Sequence, residues 1–152
     1  MELKDKIDIG IKLVGALGVI AGIFFTACQI RSADETEKAK LIYQIQKDGR
    51  ELFAELSKNS AFLDCVILDS DCKPDEISKI KASIVRAMQF YTSVYNQKEL
   101  GKLLPNYWSI WKVELCDFVS RPAVVEFWKK SASRYREPFR QEVEACLGDS
   151  ST

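Results

Sequence analysis

The chain has 152 residues, in which 22 Lys and Arg balance 22 Asp and Glu, and it has no histidine. Neutrality removes the basic footprint that a nucleic-acid binder needs, so no nucleic-acid partner is expected. The absence of His removes the commonest general base, the His-dependent triads and the His-containing zinc sites.

Residues 1–12 carry acids (Glu2, Asp5, Asp8) as well as lysines (Lys4, Lys6, Lys12), and residues 13–30 follow without a formal charge as LVGALGVIAGIFFTACQI. At about 1.5 Å per residue that run covers roughly 27 Å, close to a bilayer's hydrocarbon core of about 30 Å. Lys12 can snorkel, which lets Ile7, Ile9 and Ile11 extend the apolar length. Residues 1–31 therefore read as an arm and transmembrane anchor with the lipid bilayer as partner. Residues 32–148 read as a helical soluble domain, and residues 149–152 as a frayed tail.

Two other fates for the N-terminal segment stand beside the retained anchor. A cleaved secretory signal needs a basic first region, which the three acids spoil. A lipoprotein signal is suggested by Phe25-Thr26-Ala27-Cys28, with Cys28 as the lipidated residue. Against it, Phe is a poor first residue of a lipobox, and no Ser/Gly tether follows. For the anchor, Lys and Arg set orientation. Three lysines precede the run and Arg31, Lys38, Lys40, Lys47 and Arg50 follow it, which favours a cytoplasmic C-terminal domain.

Within the run, Gly15, Gly18, Gly22, Thr26 and Gln29 recur at steps of three and four residues and so share one helical face. Gly18 and Gly22 form a GxxxG pair. In lipid, helices associate through close packing and hydrogen bonds, and small residues let backbones approach. This face predicts self-association, with Gln29 able to hydrogen-bond across the interface.

Five cysteines occur: Cys28 in the run, then Cys65, Cys72, Cys116 and Cys146. No C-x-x-C is present, which weakens zinc and thioredoxin-like readings. Buried free thiols are the expected state, in keeping with a cytoplasmic domain. A periplasmic domain would instead bridge Cys65–Cys72 or Cys116–Cys146.

Beyond the run, Leu41, Ile45, Leu52, Phe53 and Leu56 follow a helical period, and nothing obliges the chain to leave the helix between Ile30 and Thr36. Residues 61–68 are apolar but too few to classify. A polar loop ends at Pro74, with Asp75 as the expected N-cap of a helix bearing Ile77, Ile80, Ile84, Met88, Tyr91 and Tyr95 on one stripe. A connector with Gly101 and Pro105 leads to Trp108, Trp111, Leu115 and Phe118. Pro122 starts the next helix and Pro138 divides the last segment in two, with Gly148 as a stop. No period-two strand is visible. The fold class is all-α: a single N-terminal transmembrane helix followed by a bundle of about five helices.

The acids Asp64, Asp69, Asp71, Asp75 and Glu76 do not form an EF-hand loop, since only Asp69 and Asp71 alternate and no glycine is near. They read as a solvated loop, and no metal or cofactor is expected. The aromatic residues Tyr107, Trp108, Trp111, Phe118, Phe127, Trp128, Tyr135 and Phe139 have core spacing. Arg121, Arg134, Arg136 and Arg140 lie near Glu126, Glu137, Glu142 and Glu144 and read as a mixed-charge face. Cys116, Ser120 and Ser131 lack any motif that would activate a nucleophile, so no catalytic residue is assigned.

Two stretches carry a resemblance. Thr26-Ala27-Cys28-Gln29-Ile30-Arg31 resembles the span exit of a broad group of uncharacterised small bacterial membrane proteins, each with one N-terminal anchor and a helical domain. Tyr107-Trp108-x-x-Trp111 through Phe118, Pro122, Phe127-Trp128, Tyr135 and Phe139 resembles the C-terminal half of the same group. The resemblance implies a bacterial inner-membrane, single-pass protein and no activity. The expected function is a membrane-anchored interaction or effector protein, a homo-oligomer through its span, in a defence or signalling role, with its helical domain free for a protein partner. The alternative is a periplasmic lipoprotein with a disulfide-containing helical binding domain.

Overall fold

The computed structural model describes residues 3–149 apart from Asp71 and Pro105, with side-chain surroundings described from Gly22 to Gly148. Helix α1 (Leu3–Leu56) is unbroken over 54 residues, so the chain does continue as helix through the 30–36 junction. No proline interrupts it, and polar pairs one turn apart run along it: Arg31 with Glu35 at 3.8 Å, Lys38 with Asp34 at 2.7 Å, Lys47 with Glu51 at 3.9 Å. These pairs are largely solvated, and their direct contribution is small.

The chain divides into two units, Met1–Lys40 and Leu41–Thr152. In the first, residues 22–40 are exposed apart from half-buried Lys38. Ile23, Phe24, Phe25 and Ile30 are each exposed by about two thirds. Among the described residues no helix is long and apolar enough to cross a membrane. The N-terminal half of the expected span, residues 13–21, lies outside the described side chains.

The second unit is all-helical. Ile45 and Leu56 on the last turns of α1 are buried, with Leu41 and Leu52 packed beside them. Asn59 caps the short α2 (Ser60–Phe62): its side-chain oxygen accepts from the Phe62 N–H at 3.3 Å, while its amide donates to Ser83 Oγ at 3.0 Å. A π-helical turn, Leu63–Ile67, completes the apolar run that could not be classified from sequence. Its wider winding allows the Leu68 N–H to reach back to the Leu63 carbonyl at 2.8 Å.

Pro74–Glu76 form a 3-10 turn before α3 (Ile77–Glu99), so the helix takes Glu76 rather than Asp75 as its N-cap. Pro74 fixes the backbone for a tight turn, in which the Glu76 N–H bonds the Lys73 carbonyl at 3.1 Å. Asp75 is thereby drawn into the turn. At the other end Gly101 has φ +66, the left-handed conformation that lets the chain leave a helix without a Cβ clash.

The remaining helices are α4 (Tyr107–Ser120), α5 (Pro122–Ser131) and α6 (Glu137–Asp149), with a 3-10 turn at Ala132–Arg134. Pro122 and Pro138 stand in first turns, where the missing N–H is harmless. Helix α6 runs one residue past Gly148, and the rest of the expected tail lies outside the described residues.

Aromatic rings fill the centre. Phe90 meets Trp111 at 5.0 Å between centroids, Tyr95 meets Trp108 at 5.2 Å, and Tyr95 meets Phe139 at 5.6 Å. Gly49 makes room for this packing, since a Cβ there would lie 3.0 Å from the Trp111 ring and 3.1 Å from Phe90.

The four domain cysteines are paired, which corrects the expectation of free thiols. Cys65 in the π turn is bridged to Cys72, and Cys116 on α4 is bridged to Cys146 on α6, each pair with Cα atoms 4.9 Å apart. That distance lies within the range a disulfide spans. The partners stand at a sequence separation of 7 in the first pair and 30 in the second, and only the folded path brings the second pair together. Cys28 is free and exposed.

Candidate functional site

The most developed cavity lies between the first turns of α3 and helix α5. Ile77, Ile80 and Ile84 recur at helical steps on α3, and α5 opposes them with Pro122, Ala123 and Phe127, the Cys65–Cys72 bridge also lining the cavity. Its volume is about 460 Å³, within the range of roughly 300–1,000 Å³ typical of small-molecule sites. Ile80, Ile84 and Cys65 are buried, and Ala123 and Phe127 are half-buried. The space stays open because α5 offers a proline ring and a methyl group where larger side chains would close it. Ser131, though buried, directs its hydroxyl to the Phe127 carbonyl at 2.6 Å.

Charge at this cavity is lopsided. Lys81, Lys130 and Arg134 line it with a single acid, Glu126. Glu126 is already engaged, by Lys129 at 3.0 Å and Lys130 at 3.8 Å. The hydrogen bond from Lys129, and then its charge, hold the Glu126 carboxyl below its ordinary pKa. Lys81 and Arg134 have no acidic side chain within 4 Å among the described residues. On the charged face read from the sequence, Arg121 pairs with Asp117 and Arg140 with Glu137, whereas Arg134 is exposed without an ion pair among the described residues.

A second cavity, of about 490 Å³, shares Phe127 and Arg134 with the first. Its other walls are more polar: beside Val85, the residues Gln89, Thr92, Ser93 and Asn96 follow one another along α3, facing Tyr135. The Tyr135 phenol is raised above its ordinary pKa by burial, with Arg134 pulling the other way. An apolar chamber and a polar chamber therefore meet at one ring and one guanidinium.

The chain just beyond Cys65 also bears on the apolar chamber. Ile67 and Leu68 are exposed by 40% and 67%, and Ile77, which lines the cavity, by 38%. Arg121 ties this segment to the start of α5, donating to the Ile67 carbonyl at 3.3 Å while gripping Asp117 through two bonds.

Of the residues singled out from sequence, Gly22, Thr26 and Gln29 are exposed on α1. The Thr26 hydroxyl donates to the Gly22 carbonyl at 2.8 Å, and a Cβ built on Gly22 meets nothing within 4 Å. A shallow depression there is lined by Gly22, Ile23, Thr26, Ala27 and Ile30. Gly15 and Gly18 lie among the residues whose side-chain surroundings are not described. Of the aromatic set, Trp108, Trp111, Phe118, Trp128 and Phe139 are buried in the core, whereas Phe127 and Tyr135 line the two chambers. No group of three or more metal-ligating side chains converges among the described residues. The chamber itself escaped the sequence reading, since its walls come from three separate segments.

Comparison with known protein families, with curated proteins and with solved structures finds no match to the chain. The resemblance to small bacterial membrane proteins therefore rests on the quoted motifs alone.

Proposed function

We propose that the chain is a single-pass protein of a bacterial inner membrane, whose N-terminal helix anchors a helical binding domain on the oxidising, extracytoplasmic side. The observation that carries the placement is the pairing of all four domain cysteines. Disulfides persist where thiols are not kept reduced, and are rare in the cytosol. This reverses the cytoplasmic placement expected from the lysine and arginine count, which rested on five charges against three. Anchoring is supported by the uncharged run 13–30 and by exposed Ile23, Phe24, Phe25 and Ile30, an apolar surface of the kind that lipid or another helix covers.

The test is direct. The protein should stay with membranes through alkaline washing, and a reporter fused after Thr152 should be active only if it works outside the cytoplasm. Alkylation of intact cells without reductant should leave the four domain cysteines unmodified. Cytoplasmic reporter activity together with four reactive thiols would sink the placement. Cys28→Ser separates the lipoprotein alternative, because only lipidation at Cys28 would make the substitution remove a lipid-sized mass and block processing.

Self-association through the Gly15, Gly18, Gly22, Thr26 and Gln29 face is a second part of this reading. It is favoured by the open space over Gly22 and by the Thr26 hydroxyl being satisfied within its own helix, which leaves a smooth small-residue surface. An assembly of this kind suits a signalling or defence effector. Gly22→Leu should weaken crosslinking between copies in membranes, while Phe24→Leu should not; equal crosslinking in both would make the glycine face incidental.

A further inference from the structure

We infer that the paired chambers between α3 and α5 bind a single-chain anionic amphiphile, an acyl chain carrying a carboxylate or phosphate head. The inference goes beyond the anchoring reading and does not depend on which side of the membrane the domain occupies.

The division of the site matches the division of such a ligand. Ile80, Ile84, Ala123 and Phe127 offer an apolar trough in which a hydrocarbon chain leaves water. Where the trough meets the polar chamber stands Arg134, with Lys81 and Lys130 also on the trough. Lys130 is shared with Glu126, but Lys81 and Arg134 are not neutralised by any acid within 4 Å among the described residues. An anionic head is the charge this arrangement lacks, and a guanidinium is suited to hold either a carboxylate or a phosphate through two parallel hydrogen bonds. Gln89 and Ser93, exposed along α3 in the polar chamber, supply further donors and acceptors to the head. Ile77, which lines the trough, is itself part-exposed, so the apolar wall reaches the domain surface, where a hydrocarbon chain can enter. A neutral or cationic amphiphile would leave the cations unanswered, and a purely apolar ligand would leave the polar chamber idle.

The test uses the full chain in lipid nanodiscs with a diazirine-bearing palmitate, photolysed and mapped by peptide mass spectrometry. Labels are expected in peptides containing Ile80, Ile84 and Phe127, in addition to any that bilayer probe leaves on residues 13–30. Ala123→Trp fills the trough and should abolish the domain labels while sparing those on the anchor. Lys81→Glu with Arg134→Glu changes only exposed side chains, so it decides the matter if Ala123→Trp unfolds. That double variant should cut domain labelling about five- to tenfold, and a diazirine analogue with an alcohol head should be unaffected by it. Competition by unlabelled palmitate alone would identify free fatty acids as the source, and competition by lysophosphatidylglycerol would identify membrane lipid. Either result supports the inference. Domain labelling that is absent, that survives Ala123→Trp in a folded protein, or that lysophosphatidylcholine displaces as well as the anionic competitors, overturns it.

Discussion

The two ends of α3 face their neighbours in opposite ways. Toward its C-terminal end, Tyr91 and Tyr95 are buried against Trp108, Trp111, Phe118 and Phe139, and ring meets ring where α3 packs on α4 and α6. Toward its N-terminal end, Ile77, Ile80 and Ile84 confront Pro122 and Ala123 of α5 and leave a cavity. The helix carries an apolar stripe of the same period throughout. Whether that stripe becomes core or binding surface is decided by the size of the residues opposite.

That contrast can be broken by substitution. The largest effect should come from the filled end: Phe139→Ala removes a fully buried ring and should cost about 3–5 kcal/mol in denaturant titration. Next stand the bridges. Replacing Cys116 and Cys146 by Ser should cost about 3–4 kcal/mol, since the bridge closes a loop with a separation of 30 residues. Replacing Cys65 and Cys72, separated by seven, should cost about 2–3 kcal/mol. A reversed order would show that the local bridge holds more of the fold than loop length implies.

At the open end the sign should invert. Ala123→Leu partly fills the trough and should stabilise the domain by about 0.5–1 kcal/mol, an outcome that the ring-packed end could not give. A melting temperature lowered by Ala123→Leu would mean that the trough is already as closed as its neighbours allow.

The mildest change concerns pH. Burial, reinforced by Glu114 and Asp117, holds the Tyr91 phenol well above its ordinary pKa of 10. The unfolded chain then gives up this proton before the folded one does. The corresponding stability is fully present below pH 10 and is lost as pH rises beyond it. Tyr91→Phe should therefore change little at neutral pH and flatten the alkaline fall in stability. An equally steep fall in both proteins would place the titrating group elsewhere.

Much of the fold was legible because helical stripes and prolines are local signals. The α3 stripe, the Trp108-to-Phe118 face and the breaks at Pro122 and Pro138 depend on nothing beyond neighbouring residues. The pairings Cys65–Cys72 and Cys116–Cys146 were named from sequence as an alternative to free thiols, but which state holds was not legible, because Cys116 and Cys146 meet only when α6 packs on α4. Asp75 failed as a cap because Pro74 tightens the turn around it. The site was hidden for a related reason: Cys65, Ile84 and Phe127 share no spacing, and a cavity is defined by what its walls fail to fill.

The sequential order of the two bridges, Cys65–Cys72 before Cys116–Cys146, also bears on the order in which the chain is made. Four cysteines can pair in three ways, and a domain oxidised all at once would have to sort among them. Cys72 emerges long before Cys116, so the bridge in the π turn can close while its partner is the only other domain thiol present. By the time Cys146 arrives, Cys116 is the one thiol of the domain left to meet it. On the extracytoplasmic placement proposed above, vectorial synthesis selects the native pairing without an isomerase when oxidation keeps pace with translocation.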